Sequence, residues 1–138
     1  MRKIVLASHG DFATGLLSSV KMIVGELANG VASYGLYPGE SAIDFSKLLE
    51  NEIERNQNTE YVIITDLYGA SVCSAMLSLC KYKNVIVISG LNINLVLELL
   101  LSYKEPLTDS SIEELIEKSR KGIKHVMLEN NCDEEEDF

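Results

Sequence analysis

Apolar positions along the chain fall into short continuous runs and into stretches with helical spacing. The runs occupy residues 4–10, 31–37, 60–65 and 84–89, and the first of them stops abruptly at His9. A short continuous run bounded by polar or turn residues is typical of a strand whose two faces are both covered by helices. We therefore predict four buried strands of a parallel sheet.

Between these runs, apolar residues recur at intervals of three and four, which is the spacing of amphipathic helices. The predicted helices cover residues 16–27, 41–56, 71–82, 92–103 and 110–121. Strands and helices thus alternate along the chain with short connections between them. This alternation is typical of α/β proteins.

Local signals predict the ends and the faces of two of these helices. Ser41 is the predicted N-cap of the second helix, and Ser110 or Ser111 is the predicted N-cap of the last, which Gly122 would end. The second helix is expected to bury an apolar side made of Ile43, Leu48, Leu49 and Ile53. These assignments depend on local spacing alone.

The alternation predicts an α/β fold with a doubly wound, mainly parallel sheet. The spacing of apolar residues does not fix the order of the strands. We predict the flavodoxin-like order 2-1-3-4, in which strands one and three are neighbours. A last strand is expected at the sheet edge over residues 123–128. We assign residues 1–129 to a single domain and residues 130–138 to an acidic, disordered tail.

The composition favours a globular protein and excludes several classes of partner. The chain has 138 residues, of which 46% are hydrophobic, enough to form one self-sufficient core. Its net charge of -9 and its lack of clustered Lys and Arg argue against binding to nucleic acid. The apolar runs are too short for a signal peptide or a membrane span, so we expect no direct membrane insertion.

The cysteines predict a reducing compartment. Cys73, Cys80 and Cys132 show neither a disulfide framework nor a CxxC pair, which is typical of reduced thiols in the cytoplasm. Cys73 and Cys80 are seven residues apart, so both are expected to be buried on one helix face.

Two polar residues stand where the predicted fold would carry its chemistry. His9 ends the first strand and Asp66 follows the third, at the carboxyl edge of the sheet. A carboxylate that accepts a hydrogen bond from one imidazole nitrogen leaves a lone pair on the other, which then acts as a nucleophile or a base. Backbone N–H groups after Gly10 or at residues 69–71, with the Ser71 hydroxyl, could receive phosphoryl oxygens.

Simpler interpretations of these residues stay open at this point. His9 could be a structural histidine, and Asp66 could merely cap the next helix. His125, in the predicted edge strand, is expected to be structural or exposed. The sequence contains no Walker loop, no Gly-x-Gly-x-x-Gly after a strand, no convincing zinc ligand set and no Gly-x-Ser-x-Gly elbow.

Several motifs nevertheless match one known family. They are Ser8-His9-Gly10-x-x-Ala13-x-Gly15, Pro38-Gly39-Glu40, Asp66-Leu67-Tyr68-Gly69-Ala70-Ser71, Gly90-Leu91-Asn92-Ile93-Asn94 and Arg120-Lys121-Gly122-Ile123-Lys124. Over residues 1–128 these motifs resemble the enzyme IIA component of the mannose-family sugar phosphotransferase system. The first motif is the most specific of the five.

The resemblance implies a cytoplasmic phosphocarrier. In such a protein the phosphocarrier protein HPr would phosphorylate Nε2 of His9, and the group would pass to a IIB component during sugar uptake. Asp66 would orient His9, while Gly10 and Ser71 would help to hold the phosphoryl group, without a metal or a cofactor. The resemblance also implies a homodimer whose protomers exchange the strand at residues 123–128.

The chain departs from the family pattern in the loop that follows the third strand. The family motif continues from Gly69 with a second glycine, a serine and a proline, whereas this chain has Ala70, Ser71 and Val72. Losing the second glycine removes easy access to left-handed backbone angles, and losing the proline removes a preset helical turn. We therefore expect a loop of different shape.

Two other functions compete with that of a sugar-transport component. One is a related phosphohistidine domain that serves a dihydroxyacetone kinase or a regulatory protein. The other is a non-catalytic flavodoxin-like binding protein in which His9 packs or contacts a ligand. The sequence does not identify the transported sugar or the IIB partner, because selection of the sugar belongs to other components.

Overall fold

The computed structural model describes residues 1–128, which form a four-stranded parallel sheet with helices on both faces. The strands are β1 (Arg2–His9), β2 (Ala32–Leu36), β3 (Glu60–Thr65) and β4 (Val85–Ser89). Every neighbouring pair is parallel, and the order is β2-β1-β3-β4. The predicted doubly wound α/β fold and its strand order are confirmed.

Helices connect the strands and cover the sheet. They are α1 (Phe12–Val24), α2 (Ala42–Arg55), α3 (Ser71–Leu77), α4 (Ile93–Ser102) and α5 (Asp109–Arg120). A 3-10 turn extends α1 at Gly25–Ala28, and another extends α3 at Ser78–Lys81. Within residues 1–128, no helix has the length and apolar character needed to span a membrane.

The centre of the core is formed by β1 and β3. Leu6 and Ile64 pack with residues of α1, α4 and α5, whereas Val5 and Ile63 pack on the opposite face with α2 and α3. All four side chains are at most 1% exposed. Because both faces of these strands are buried, their sequences are continuous apolar runs.

Helix α2 begins as predicted but buries a different face. The Ser41 side chain caps the helix by accepting a hydrogen bond from the Ile43 amide. Ile43 is 56% exposed and Leu48 is 69% exposed, so their predicted burial is wrong. The buried positions are Ala42, Ser46, Leu49 and Ile53. The small residues Ala42 and Ser46 let the helix approach the sheet closely. The positions of large apolar residues alone do not predict this face.

Helix α5 begins earlier than predicted, and its N-cap is Thr108. The Thr108 side chain accepts a hydrogen bond from the Ser111 amide, while Ser111 Oγ accepts one from the Thr108 amide. The predicted cap at Ser110 or Ser111 is therefore wrong, although Ser111 takes part in a capping box. Leu107, directly before the cap, fixes where α5 begins. Its side chain is buried, and its amide donates to Glu60 Oε2 at 2.6 Å.

The two described cysteines do not share a buried face. Cys73 is buried on α3, but Cys80 is exposed, so the predicted burial of Cys80 is wrong. The regular helix ends at Leu77 and a 3-10 turn follows.

The predicted strand at residues 123–128 is not formed within the described chain. This segment has no place in the four-stranded sheet and is exposed throughout. The acidic tail predicted for residues 130–138 lies outside the described residues, as does residue 129.

Candidate active site at the carboxyl edge of the sheet

His9 and Asp66 meet at the carboxyl edge, although they are 57 residues apart in sequence. His9 is the last residue of β1, and Asp66 directly follows β3. The two strands are paired in parallel, with Ala7 opposite Thr65. The predicted strand order therefore brings together the two residues that the sequence singled out.

The Asp66 carboxylate holds both the main chain and the ring of His9. Oδ2 accepts hydrogen bonds from the His9 amide and from His9 Nδ1, each at 2.8 Å. Oδ1 accepts a third from the Leu67 amide at 2.9 Å. The carboxylate is thus fixed from both sides, and it fixes the imidazole in turn.

The environment of Asp66 favours its ionised form. Burial raises the pKa of this carboxyl, but the hydrogen bonds from the His9 amide, the His9 ring and the Leu67 amide together outweigh that effect. The pKa of Asp66 is therefore lowered from its ordinary value of 3.8. A carboxylate at neutral pH accepts the proton of Nδ1–H, which assigns the imidazole tautomer.

In this tautomer Nε2 of His9 carries a lone pair and faces outward. The His9 side chain is 48% exposed, whereas that of Asp66 is only 14% exposed. Ser71 Oγ lies 3.4 Å from Nε2 and is placed at the first turn of α3. The arrangement presents a nucleophilic nitrogen to solvent with a hydroxyl beside it.

The loop between β3 and α3 keeps an ordinary shape without the second glycine. Gly69 has φ of 80°, the left-handed conformation that favours glycine. Ala70 has φ of -80° and ψ of 173°, an extended conformation open to any residue. Alanine therefore satisfies the backbone at this position. Ala70 is also the N-cap of α3, but it supplies no side-chain hydrogen bond to the helix.

The other predicted phosphoryl-binding position, Gly10, also has a left-handed backbone. Its φ is 55°, and its amide donates to the Leu36 carbonyl at 2.8 Å. This bond fixes the turn from β1 into α1 against β2. The Gly10 amide is therefore occupied, and amides farther along the turn are better placed for an incoming anion.

Ser8 supports the site in a way that the sequence did not predict. Its side chain is fully buried, and Oγ accepts a hydrogen bond from the Ala13 amide at 2.7 Å while donating to the His9 carbonyl at 3.1 Å. These bonds anchor the first turn of α1 to the end of β1. The position of Ser8 at the end of an apolar strand could have indicated this role. A hydroxyl that is buried there requires hydrogen-bond partners.

An open groove of about 640 Å³ adjoins the site between α2 and α3. It runs from Leu36 past the first turns of α2 and along α3, and it reaches Ser71. Within residues 1–128, no three His, Cys, Asp or Glu side chains are grouped so that they could hold a metal ion. His125 is exposed and lies outside the site, which agrees with its predicted minor role.

Comparison with known proteins places this geometry in a family. A family model described as PTS system fructose IIA component matches residues 3–118. The sorbose-specific EIIA component of Klebsiella pneumoniae is 35% identical over 96 residues, which make up 69% of this chain and 70% of that protein. The mannose-specific EIIAB component of Escherichia coli (strain K12) is 29% identical over 124 residues, or 88% of this chain. The chain spans only 38% of the length of that second relative.

A solved structure extends the likeness to the whole fold. The phosphotransferase system component EIIA from Streptococcus agalactiae has 30% sequence identity and a TM-score of 0.78. The alignment covers 91% of this chain and 97% of that one. Sequence and structure agree, and the chain belongs to the mannose-family IIA components of the sugar phosphotransferase system.

Proposed function

We propose that this protein is a cytoplasmic phosphocarrier that accepts a phosphoryl group from HPr on Nε2 of His9 and passes it to a IIB component. The observation that carries the proposal is the pairing of His9 Nδ1 with the Asp66 carboxylate at 2.8 Å, which leaves Nε2 unprotonated and exposed. An imidazole held in this way is a ready nucleophile at neutral pH.

The transfer requires only a donor phosphohistidine and the two residues of the pair. The Nε2 lone pair attacks phosphorus, and the new N–P bond forms as the donor N–P bond breaks and its electrons return to the donor imidazole. His9 keeps its Nδ1 proton and becomes a phosphorylated imidazolium. Asp66 stabilises that positive charge, as the carboxylate does in a hydrolase triad. Transfer to IIB repeats these steps with His9 as the donor.

The surroundings of Nε2 suit a phosphoryl group. Ser71 Oγ lies 3.4 Å from Nε2, so it can donate to an oxygen of a group bound there. Helix α1 begins at Phe12, three residues after His9, and a helix N-terminus favours negative charge. Positioning by several such groups supports transfer without a metal or a cofactor.

The edge of the sheet around His9 also suits a protein partner. Three large apolar side chains at this edge are exposed: Phe12, the first residue of α1, by 49%, and Leu67 and Tyr68 of the β3–α3 loop by 63% and 85%. The loops after the four strands contain Asp11, Glu40 and Asp66 but no lysine or arginine. A partner that docks here is expected to bring apolar contacts and positive charge, which would also offset the charge of the transferred group.

Sugar transport is the preferred setting for this chemistry. Two relatives of this chain are described as sorbose-specific and mannose-specific components, and both names refer to sugars. A role in a dihydroxyacetone kinase system would use the same nucleophile, but no observation on this chain favours it. Addition of candidate IIB proteins to the phosphorylated protein would identify the acceptor.

Phosphorylation in a reconstituted system tests the proposal. The protein is incubated with phosphoenolpyruvate, enzyme I and HPr, and the expected product carries an acid-labile, alkali-stable phosphoryl group. His9→Ala should abolish the label, while the matched control His125→Ala should keep it, since His125 is exposed and outside the site. An unlabelled wild type, or equal label in His9→Ala, would contradict the proposal.

A further inference from the structure

A tyrosine outside the phosphoryl-acceptor pair links the loops after β1 and β2. The Tyr37 hydroxyl donates a hydrogen bond to Asp11 Oδ1, and the Tyr37 amide donates to Glu40 Oε1 at 2.8 Å. A Cβ at Gly35 would collide with the Gly10 carbonyl oxygen and would lie 3.1 Å from Cε2 of Tyr37, so the Tyr37 ring packs closely over Gly35. The Tyr37 ring is therefore held in one place, beside the turn that leads from His9 into α1.

Asp11 occupies the N-cap position of α1, but its carboxylate does not cap the helix. An aspartate at this position ordinarily accepts a hydrogen bond from the amide two or three residues later. The Ala13 amide already donates to Ser8 Oγ. Among residues 1–128, no acceptor is found for the amides of Phe12 and Thr14. The carboxylate is instead bound to Tyr37.

We propose that Tyr37 is a positioning residue for phosphoryl transfer, because its hydroxyl holds the Asp11 carboxylate against the β2–α2 loop and away from the first turn of α1. The proposal rests on the proposed function of His9. Without the hydroxyl, the carboxylate turns to the Thr14 amide, which moves its negative charge from the β2–α2 loop to the first turn of α1. That charge repels the incoming phosphoryl group and occupies an amide that would otherwise face it.

The state of the hydroxyl fits this role. The hydrogen bond to Asp11 raises the pKa of Tyr37 above its ordinary value of 10.0, with burial and the nearby carboxylates adding to the effect. Tyr37 is therefore a protonated donor throughout the neutral range. Its ring is 44% exposed, so removal of the hydroxyl leaves the packing of the core unchanged.

A double-mutant series with a matched control tests this role. Tyr37→Phe should lower kcat for phosphorylation by HPr about tenfold, which corresponds to ~1.4 kcal/mol, with a smaller change in KM. Adding Asp11→Ala to Tyr37→Phe should restore the rate, because alanine neither carries a charge nor accepts a hydrogen bond from the Thr14 amide. The control is Tyr103→Phe, which removes a similar hydroxyl bond to Glu114, 2.8 Å long and remote from His9.

The amide resonances of Phe12 and Thr14 provide a second measurement that does not depend on turnover. In unphosphorylated Tyr37→Phe, the Thr14 amide signal should move as expected for a capped amide, and adding Asp11→Ala should reverse the shift. Wild-type rates in Tyr37→Phe, or slow transfer that Asp11→Ala does not rescue, would overturn the role of Tyr37. Failure of the proposed function is distinct, since wild-type protein would then take up no label.

Discussion

At the scale of single residues, the Asp66 carboxylate gives His9 its chemical character. It accepts a hydrogen bond from Nδ1 at 2.8 Å, which selects the tautomer with a free lone pair on Nε2. In the proposed transfer it also stabilises the positive ring that forms during attack. A carboxylate does both because it accepts hydrogen bonds and carries negative charge, whereas a neutral amide provides only the first property.

Asp66→Asn separates these two contributions. The variant should fold, since the amide keeps the size of the carboxyl group, but phosphorylation by HPr should slow by about a hundredfold, because the amide lacks the negative charge that stabilises the phosphorylated ring. Rapid-quench measurement of the phosphorylation rate checks this result. Asp44→Asn, which changes an exposed carboxylate on α2, should keep the wild-type rate. Equal rates in wild type and Asp66→Asn would remove Asp66 from the mechanism.

The lowered pKa of Asp66 also predicts how stability depends on pH. Because the pKa in the folded state lies below that of an unfolded aspartate, about 3.9, ionised Asp66 contributes its full stabilisation above about pH 4. This contribution is lost as the pH falls through the folded-state pKa. Urea unfolding at successive acidic pH values should show a steeper loss of unfolding free energy in the wild type than in Asp66→Asn. Parallel curves would contradict the assigned hydrogen bonds.

At the scale of elements, the start of α3 explains how this chain keeps its active-site loop with Ala70. Gly69 supplies the left-handed residue of the turn, with φ of 80°, and Ala70 is extended. The loop thus needs a glycine only at position 69, where the turn requires a left-handed angle. Because Ala70 needs no left-handed angle, the loss of the second glycine does not by itself require a different backbone in this loop.

A pair of substitutions tests this assignment. Ala70→Gly should lower the free energy of unfolding by roughly 0.4–1 kcal/mol, because glycine gains conformational freedom in the unfolded chain. Gly69→Ala should cost about 1–2 kcal/mol, because alanine must adopt a left-handed conformation. Urea denaturation of both variants measures the difference. A larger loss in Ala70→Gly than in Gly69→Ala would reverse the assignment.

At the scale of the whole molecule, the segment after α5 leaves apolar side chains uncovered. Ile123 is 78% exposed, Val126 is 72% exposed and Met127 is 40% exposed. We propose that a second copy of the chain covers them in a homodimer, with this segment pairing as a strand in the partner. Edge strands with exposed apolar side chains commonly pair with another chain.

Light scattering on purified protein tests the dimer. The wild type should have the mass of two chains, and the double variant Ile123→Asp with Val126→Asp should have the mass of one. Met22→Asp is the matched control, since Met22 is an apolar residue on α1 that is 88% exposed. A monomeric wild type, or a dimer that survives the double substitution, would exclude this interface.

The sequence alone determined the class of the fold and the pair of residues at its candidate active site. Val5, Leu6, Ile63 and Ile64 lie in continuous apolar runs because helices cover both faces of their strands, and this burial leaves a direct record in the sequence. His9 and Asp66 were found because parallel strands end at the same edge of the sheet. The motifs around them then identified the family.

Only the tertiary structure decided which side chains meet. The bonds from Ser8 to the Ala13 amide and from Tyr37 to Asp11 depend on how strands and helices pack, and local spacing does not record them. The same holds for the exposed face of α2 and for the cap of α5, which the contact of Leu107 with Glu60 fixes. Periodicity reports which elements form, whereas the partner of each polar atom depends on residues distant in the chain.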